Sequence, residues 1–389
     1  MVEKTIIEEI LYSDNAPVSI KIAGGLIQQV ERVSLPSQQA GRKLYVAPGL
    51  IDNQVNGCFG IEFLSEELTT DKVRTFVNTL SKFGVTTFLP TLITASAERL
   101  IQSFKIMAEA RRIPEIAVSV PGFHLEGPYI SAEKGYRGAH NPDEIRLPDW
   151  NEFQQLNQAA DGKILQITLA PELEGAINFI RKCTEQGIVV ALGHHNAAAD
   201  KIKQAVDAGA RTVTHLGNGC ANLIDRYDNP FWWPLAEDRL MASLILDGFH
   251  LLPEQVKVFC RSKGNKRIIL TSDMTRLAGM PPGKYTWDGK EVVLSCDGSI
   301  KFTRENVFAG ASLPLTTGID NMMRFSGCSL REAIDMASGN PARLYGLQDR
   351  GSIEPGQRAD LILFQIIDKK LHIKQTISQG EVVYGADKL

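Results

Sequence analysis

The 389-residue chain contains no run of 18 uninterrupted apolar residues, so no membrane-spanning helix is expected. It lacks a C-x-x-C pair as well. Its six cysteines (Cys58, Cys183, Cys220, Cys260, Cys296, Cys328) lie 32 to 125 residues apart, which argues against a disulfide framework or a zinc ribbon. Long basic runs are absent: 42 Lys and Arg are interspersed with 45 Asp and Glu, for a net charge of −3, so no nucleic-acid surface is expected. An anionic small substrate would have to be met by a few local cations. No G-x-G-x-x-G opens a helix and no G-x-x-x-x-G-K-[ST] occurs, so dinucleotide and P-loop sites lose support. Met1-Val2-Glu3-Lys4 leads into mixed polar and apolar residues with no signal-like apolar segment, and a cytoplasmic location is the expectation.

What is present is the composition of an ordinary soluble enzyme, 43% hydrophobic and 22% charged. Residues 1–46 are strand-like, with Val18-Ser19-Ile20-Lys21-Ile22 and Leu26-Ile27-Gln28-Gln29-Val30 around a Gly24-Gly25 hairpin signal. Residues 348–389 look similar, with runs at 360–364, 373–377 and 381–384. The two ends are expected to pair as one small β-sandwich domain. Between them, over 47–347, short apolar runs alternate with helical patterns. The runs are 50–52, 85–89, 117–120, 164–169, 188–192, 212–214, 242–246 and 267–270; the helical patterns are 71–83, 96–110, 173–185, 200–208 and 253–262. Eight strands alternating with helices predict a (β/α)₈ TIM-like barrel more than an open doubly wound sheet.

In such a barrel, chemistry belongs at the carboxyl ends of the strands. Strand three ends His124-Leu125-Glu126-Gly127-Pro128, strand five Gly193-His194-His195-Asn196, strand six at His215, and strand eight Thr271-Ser272-Asp273; His250 follows strand seven. Five of seven histidines thus fall near strand ends. Glu126, His194 and His215 form a carboxylate-plus-two-imidazole set suited to Zn²⁺ or another divalent first-row metal with a position left for water. Such a metal activates water and polarises a carbonyl, and Asp273 beside it would serve as general base and then acid. Those are the parts of an amide hydrolase.

Several stretches carry a family resemblance: Val46-Ala47-Pro48-Gly49-Leu50-Ile51-Asp52, Phe123-His124-Leu125-Glu126-Gly127-Pro128, Ala139-His140-Asn141-Pro142, Gly193-His194, Thr214-His215-Leu216, Asp247-Gly248-Phe249-His250, Ser272-Asp273 and Gly339-Asn340-Pro341-Ala342-Arg343. The sequence resembles the amidohydrolase superfamily, and within it the deacetylases of amino-sugar phosphates, in order over nearly the whole chain. The resemblance implies hydrolysis of N-acetylglucosamine 6-phosphate to glucosamine 6-phosphate and acetate. It implies Glu126, His194 and His215 as ligands of one divalent metal (Zn²⁺, with Fe²⁺, Co²⁺ and Mn²⁺ as alternatives), and Asp273 as catalytic acid and base. It gives His140 the task of polarising the acetyl carbonyl. Asn218, Gly219, Arg226 and His250 are implied to hold the sugar phosphate, while Ala139, Asp247, Phe308, Ala309 and Gly310 line the pocket. Arg226 is implied to reach the active site of the neighbouring subunit, hence a homodimer.

The sequence departs from the pattern in two places. The superfamily's H-x-H on strand one, home of a second metal, is here Gln54-Val55-Asn56, and amides are poor substitutes for imidazoles. Gly217 to Cys220 and Ile224 to Pro234 also differ from the family, which leaves open an unphosphorylated or differently substituted N-acetylated sugar. A cyclic-amide hydrolase is disfavoured because strand four, 163–171, has no lysine near its carboxyl end. The complete ligand set and Asp273 speak against a non-catalytic barrel. Some residues carry two readings: His124 as ligand support or core, Asp52 as hydrogen-bond acceptor or turn residue, and Trp232 and Trp233 as sugar-stacking lid or subunit contact. His195, next to a ligand on a strand, should point away from the interior and be structural or superficial. Cys220 reads as a packed small residue.

Overall fold

The structure, a computed structural model, describes residues 4–34, 43–287, 289–304 and 307–385; Met1–Glu3 lie outside it. The chain opens with β1 (Lys4–Leu11), β2 (Pro17–Ala23) and β3 (Leu26–Arg32), joined by antiparallel pairing. Gly24 and Gly25, at φ +60° and +75°, turn β2 into β3, a conformation open to glycine and costly to most other residues. Strand β4 (Tyr45–Pro48) pairs parallel with β1 and passes directly into the barrel.

The barrel strands are β5 (Leu50–Val55), then, after the two-residue hairpin strands β6 (Gly57–Cys58) and β7 (Ile61–Glu62), β8 (Val85–Leu92), β9 (Phe123–Glu126), β10 (Ile164–Leu169), β11 (Val189–Leu192), β12 (Thr212–Val213), β13 (Met241–Ile245) and β14 (Ile268–Thr271). They form one eight-stranded sheet in the order β14-β13-β12-β11-β10-β9-β8-β5, parallel at every pairing. Helices occupy the crossovers, among them Thr70–Ser81, Ala97–Ala110, Ala176–Glu185, Ala199–Asp207 and Pro253–Lys263. Each turns an apolar stripe inward, which is why the strands, covered on both faces, read as continuous apolar runs. The run at 117–120, expected as strand three, ends a short helix (Pro114–Ser119) instead; Pro114 opens that helix, and the strand is β9.

Closure between β5 and β14 occurs only at the carboxyl end. There Asp273 N donates to Gln54 O (3.0 Å), Asn56 N donates to Met274 O (2.8 Å), and Val55 bridges Met274. Lower down, Ile51 N and Leu270 N donate instead to Ala337 O and Met336 O, so this segment wedges the two strands apart. After β14 the chain leaves the barrel for a three-stranded antiparallel sheet not expected from the sequence: β15 (Gly283–Trp287), β16 (Lys290–Leu294) and β17 (Ile300–Phe302). It has its own core of Leu277, Trp287, Val292, Leu294, Ile300, Phe302 and Ala309.

Strands β18 (Leu361–Ile367), β19 (Lys370–Ser378) and β20 (Glu381–Tyr384) then return to the first sheet, giving the order β20-β19-β18-β4-β1-β2-β3. Its core, with Ile7, Val18, Ile20, Ile22, Ile27, Val46, Leu361, Leu363 and Ile377, is separate from that of the barrel. Among the described residues no helix is long and apolar enough to cross a membrane.

Candidate active site

Three residues at barrel strand ends carry left-handed backbone: His194 (φ +52°), His215 (φ +29°) and Asp273 (φ +49°). Non-glycine residues adopt this region at a cost, and the surrounding barrel must impose it. The effect is to turn all three side chains toward Glu126, the last residue of β9. Glu126 Oε1 lies 3.1 Å from His194 Nε2 and 3.0 Å from His215 Nε2, and the two imidazole nitrogens are 3.2 Å apart. All three side chains are buried.

This donor set calls for a cation. His194 Nδ1 donates to the carbonyl of Tyr136 (2.9 Å), which leaves the Nε2 lone pair facing the carboxylate. Burial works to raise Glu126, yet hydrogen bonds and positive charge from His194 and His215, when those rings hold a proton, keep its carboxyl well below the usual carboxylate range; a cation between neutral rings takes the proton's place. Ligand atoms about 2.0–2.1 Å from a tetrahedral zinc stand about 3.3 Å from one another, close to the three separations found here. His140 also brings a ring nitrogen within 4.8 Å of Glu126 and His194. His140 Nδ1, however, is already 2.7 Å from Thr94 Oγ1, while His215 Nε2 stands 3.0 Å from Glu126 and 3.2 Å from His194. His215 is therefore the better third ligand, with His140 packed edge-on against His194 at 4.3 Å between ring centres.

Asp273 stands beside this group. Its Oδ1 accepts from Asn56 Nδ2 (2.7 Å), so half of the altered strand-one motif positions the acid. The other half, Gln54, is buried with neither side-chain amide atom hydrogen-bonded. Burial, with the charge of Glu126 adding to it, pushes Asp273 up to about 7. Burial pushes His140 down to about 3, so its imidazole is neutral at physiological pH.

A cavity of about 760 Å³ opens above these groups. Of the expected substrate residues, Ala139, His140, Asn218, Gly219, His250, Phe308 and Gly310 line it. Three others do not line this chain's own cavity. Asp247 stands behind His250, its Oδ2 accepting from Nδ1 at 2.7 Å. Ala309 is buried in the core of the β15–β17 sheet. Arg226 is exposed, its guanidinium 4.4 Å from the ring centre of Tyr227 on the same loop. The lining also includes Trp287, Lys301, Lys134 and Arg137, which the sequence did not single out.

The two-way readings resolve. His124 is a buried strut below Glu126, its Nε2 2.7 Å from Thr168 Oγ1 and its Nδ1 3.3 Å from Thr91 Oγ1. Asp52 accepts from Thr271 Oγ1 (3.0 Å) and Ser272 N (3.1 Å), tying the first strand to the eighth; burial raises it to about 6. His195 is buried, accepting from Ala197 N, and is structural rather than superficial. Trp232 and Trp233 lie outside the cavity, in the short helix Trp232–Ala236, so neither forms a lid over it. Burial raises the Cys220 thiol, which suits a packed residue better than a nucleophile.

Two glycines cradle His194. A Cβ on Gly138 would sit 3.0 Å from its Cε1, and one on Gly219 would sit 2.6 Å from its Nδ1; both glycines have φ +58°. Gly219→Ala is expected to displace the His194 ring and lower bound metal and activity together by at least tenfold. Metal analysis beside an activity assay checks this, and unchanged metal content would show that the ring tolerates the methyl group.

A parallel barrel whose strand ends gather imidazoles and two carboxyls around one cavity defines a metal-dependent hydrolase. The amidohydrolase family matches residues 45–383, and the chain belongs to that family. It is similar to the N-acetylgalactosamine-6-phosphate deacetylase of Escherichia coli O157:H7, 32% identical over 364 residues that cover 93% of this chain and 94% of the relative. It is similar as well to the N-acetylglucosamine-6-phosphate deacetylase of Bos taurus, 33% identical over 363 residues, 88% of this chain and 84% of the relative. Among solved structures, a mutant N-acetyl-D-glucosamine-6-phosphate deacetylase from Mycobacterium smegmatis, in complex with N-acetyl-D-glucosamine-6-phosphate, superposes with a TM-score of 0.87 at 25% identity, covering 98% of this chain and 99% of that one. Membership of the family and the buried carboxylate–imidazole group together mark a divalent-metal site.

Proposed function

We propose that the protein removes the N-acetyl group of N-acetylglucosamine 6-phosphate, releasing acetate and glucosamine 6-phosphate, with one Zn²⁺ per chain held by Glu126, His194 and His215. The observation that carries this reading is a single cavity with hydrolytic groups at its floor and unpaired cations on its walls. Among the described residues, Lys134, Arg137 and Lys301 line it without a salt bridge to a carboxylate, Lys301 feeling only the longer-range charge of Asp297, as an anionic substrate requires. A bound divalent metal supplies Lewis acidity, which activates water and polarises the amide carbonyl. Asp273, oriented by Asn56, takes the proton of the attacking water and returns it to the departing amine nitrogen. Neutral His140, its Nδ1 2.7 Å from Thr94 Oγ1, acts in this mechanism as the tautomer with its proton on Nε2 and donates it toward the developing oxyanion.

Arg226 fits a homodimer in which it enters the neighbouring cavity. It lies on a segment that also exposes Leu223 (91%), Tyr227 (75%) and Trp232 (56%), side chains a second copy would cover. The unpaired cysteines fit a cytoplasmic location.

Acetate release from N-acetylglucosamine 6-phosphate, its galacto epimer and unphosphorylated N-acetylglucosamine, with metal counted on the same sample, tests the reading. The expected result is one metal per chain and a preference of about a hundredfold for the phosphorylated gluco sugar, as two or so charge-assisted contacts would give. Equal rates with and without phosphate would remove the phosphate from the substrate, and a preference for the galacto epimer would change the sugar. In the same assay Arg226→Ala should raise KM for the phosphorylated sugar alone.

A further inference from the structure

We infer that Lys301, on β17 of the three-stranded sheet, is a cation of this chain's own that receives the phosphate of the substrate; the inference rests on the phosphorylated sugar proposed above. The geometry begins with register. Lys301 and Phe308 face each other as an antiparallel bridge, held on one side by Phe302 N donating to Val307 O (3.2 Å) and on the other by Ala309 N donating to Ile300 O (3.0 Å). Directly opposed residues share a face of a β-ribbon, and their neighbours point the other way. Three of the four neighbours, Ile300, Phe302 and Ala309, are buried in the small sheet's own core, while the fourth, Val307, is exposed at the cavity's edge. The ribbon therefore cannot roll over without exposing that core, and Lys301 and Phe308 are fixed on the side that lines the cavity.

The same face continues into a site residue. Lys301 Nζ lies 5.0 Å from the centre of the Phe308 ring, and that ring lies 4.8 Å from the ring of His250. His250 is in turn held by Asp247. Lysine, phenylalanine and histidine thus make one continuous wall. The other two unpaired cations, Lys134 and Arg137, stand on the separate loop that leads to His140, whose ring packs on His194 at the acetyl end. Arg226 of the same chain does not line the cavity. Lys301 is thus the cation that adjoins His250, and its flexible stem lets the ammonium follow a phosphate group.

Steady-state kinetics of Lys301→Met on phosphorylated and unphosphorylated N-acetylglucosamine test the assignment. KM for the phosphorylated sugar should rise about 10- to 100-fold, the worth of one hydrogen bond to a charged group. The changes in kcat, and in KM for the neutral sugar, should stay below about threefold. Lys301→Arg should keep KM within about threefold of the parent, and added salt should raise the parent's KM more steeply than that of Lys301→Met. Lys284→Met, on β15 and paired with Glu291, serves as the control and should alter neither substrate. An unchanged KM, or equal losses on both substrates, would overturn the role of Lys301 while the parent's preference for phosphate stood. A parent enzyme with no such preference would bring down both this inference and the phosphorylated substrate itself.

Discussion

Asp273→Asn is expected to cut kcat about 1,000-fold while bound metal stays at the parental level, because the variant keeps the shape and the Asn56 contact but cannot accept a proton at neutral pH. The pH profile adds a second readout. Burial and Glu126 push this carboxyl up to about 7 in the metal-free protein, and a bound cation draws it back down. A base must be ionised, so kcat/KM in the loaded parent should fall as the pH drops through an acid limb lying below 7. Below that limb the carboxyl holds its proton; above it the base is ready. Residual activity in Asp273→Asn should lack the limb. A variant with parental kcat, or one with the limb intact, would move the proton transfer to another group.

Glu126→Gln is expected to lower metal content from about one per chain to below about a tenth after dialysis, with activity falling in step and partly restored by excess metal. The carboxylate is the one anion in contact with both imidazoles, and a neutral amide leaves their lone pairs with little to balance a divalent charge. His140 supplies the contrast. If it were the third ligand, as its nearness to Glu126 and His194 allows, His140→Gln would lose metal as completely as His215→Gln. The 3.0–3.2 Å separations within Glu126, His194 and His215 predict the opposite: metal lost with His215→Gln and retained with His140→Gln, while kcat falls in both. Metal retained in every variant would falsify the ligand set.

Much of this was legible in the sequence, for physical reasons. Parallel strands covered on both faces must be continuously apolar, so β8, β10, β11, β13 and β14 announced themselves, and the polar residues that break those runs at their carboxyl ends marked the site. The run at 117–120 reads as strand because a short apolar stretch has no periodicity to separate strand from helix; Pro114 just before it is the helix-opening signal that decides the matter. The small sheet was missed although Lys284-Tyr285-Thr286-Trp287 and Glu291-Val292-Val293-Leu294 flank an Asp288-Gly289 dipeptide, a hairpin signal in plain sight. With it went Trp287 and Lys301. Other relations were not legible at all. The Asn56 contact to Asp273 joins positions 217 apart in the chain, and the facing of Lys301 toward the cavity follows from a core formed by its neighbours.

The weaving of β4 between β1 and β18 bears on how the protein is made. On a ribosome adding about 5–20 residues per second, the hydrogen-bonding edge of β4 waits on the order of 15–60 s for the strand that will cover it, while the whole barrel is synthesised in between. Through that interval an apolar strand with one open edge is available to any other nascent chain. A stall or truncation before residue 361 would leave that edge exposed for good. Solubility during expression should therefore hinge on the last 29 residues of the chain, remote as they are from the chemistry, more than on any residue of the metal site.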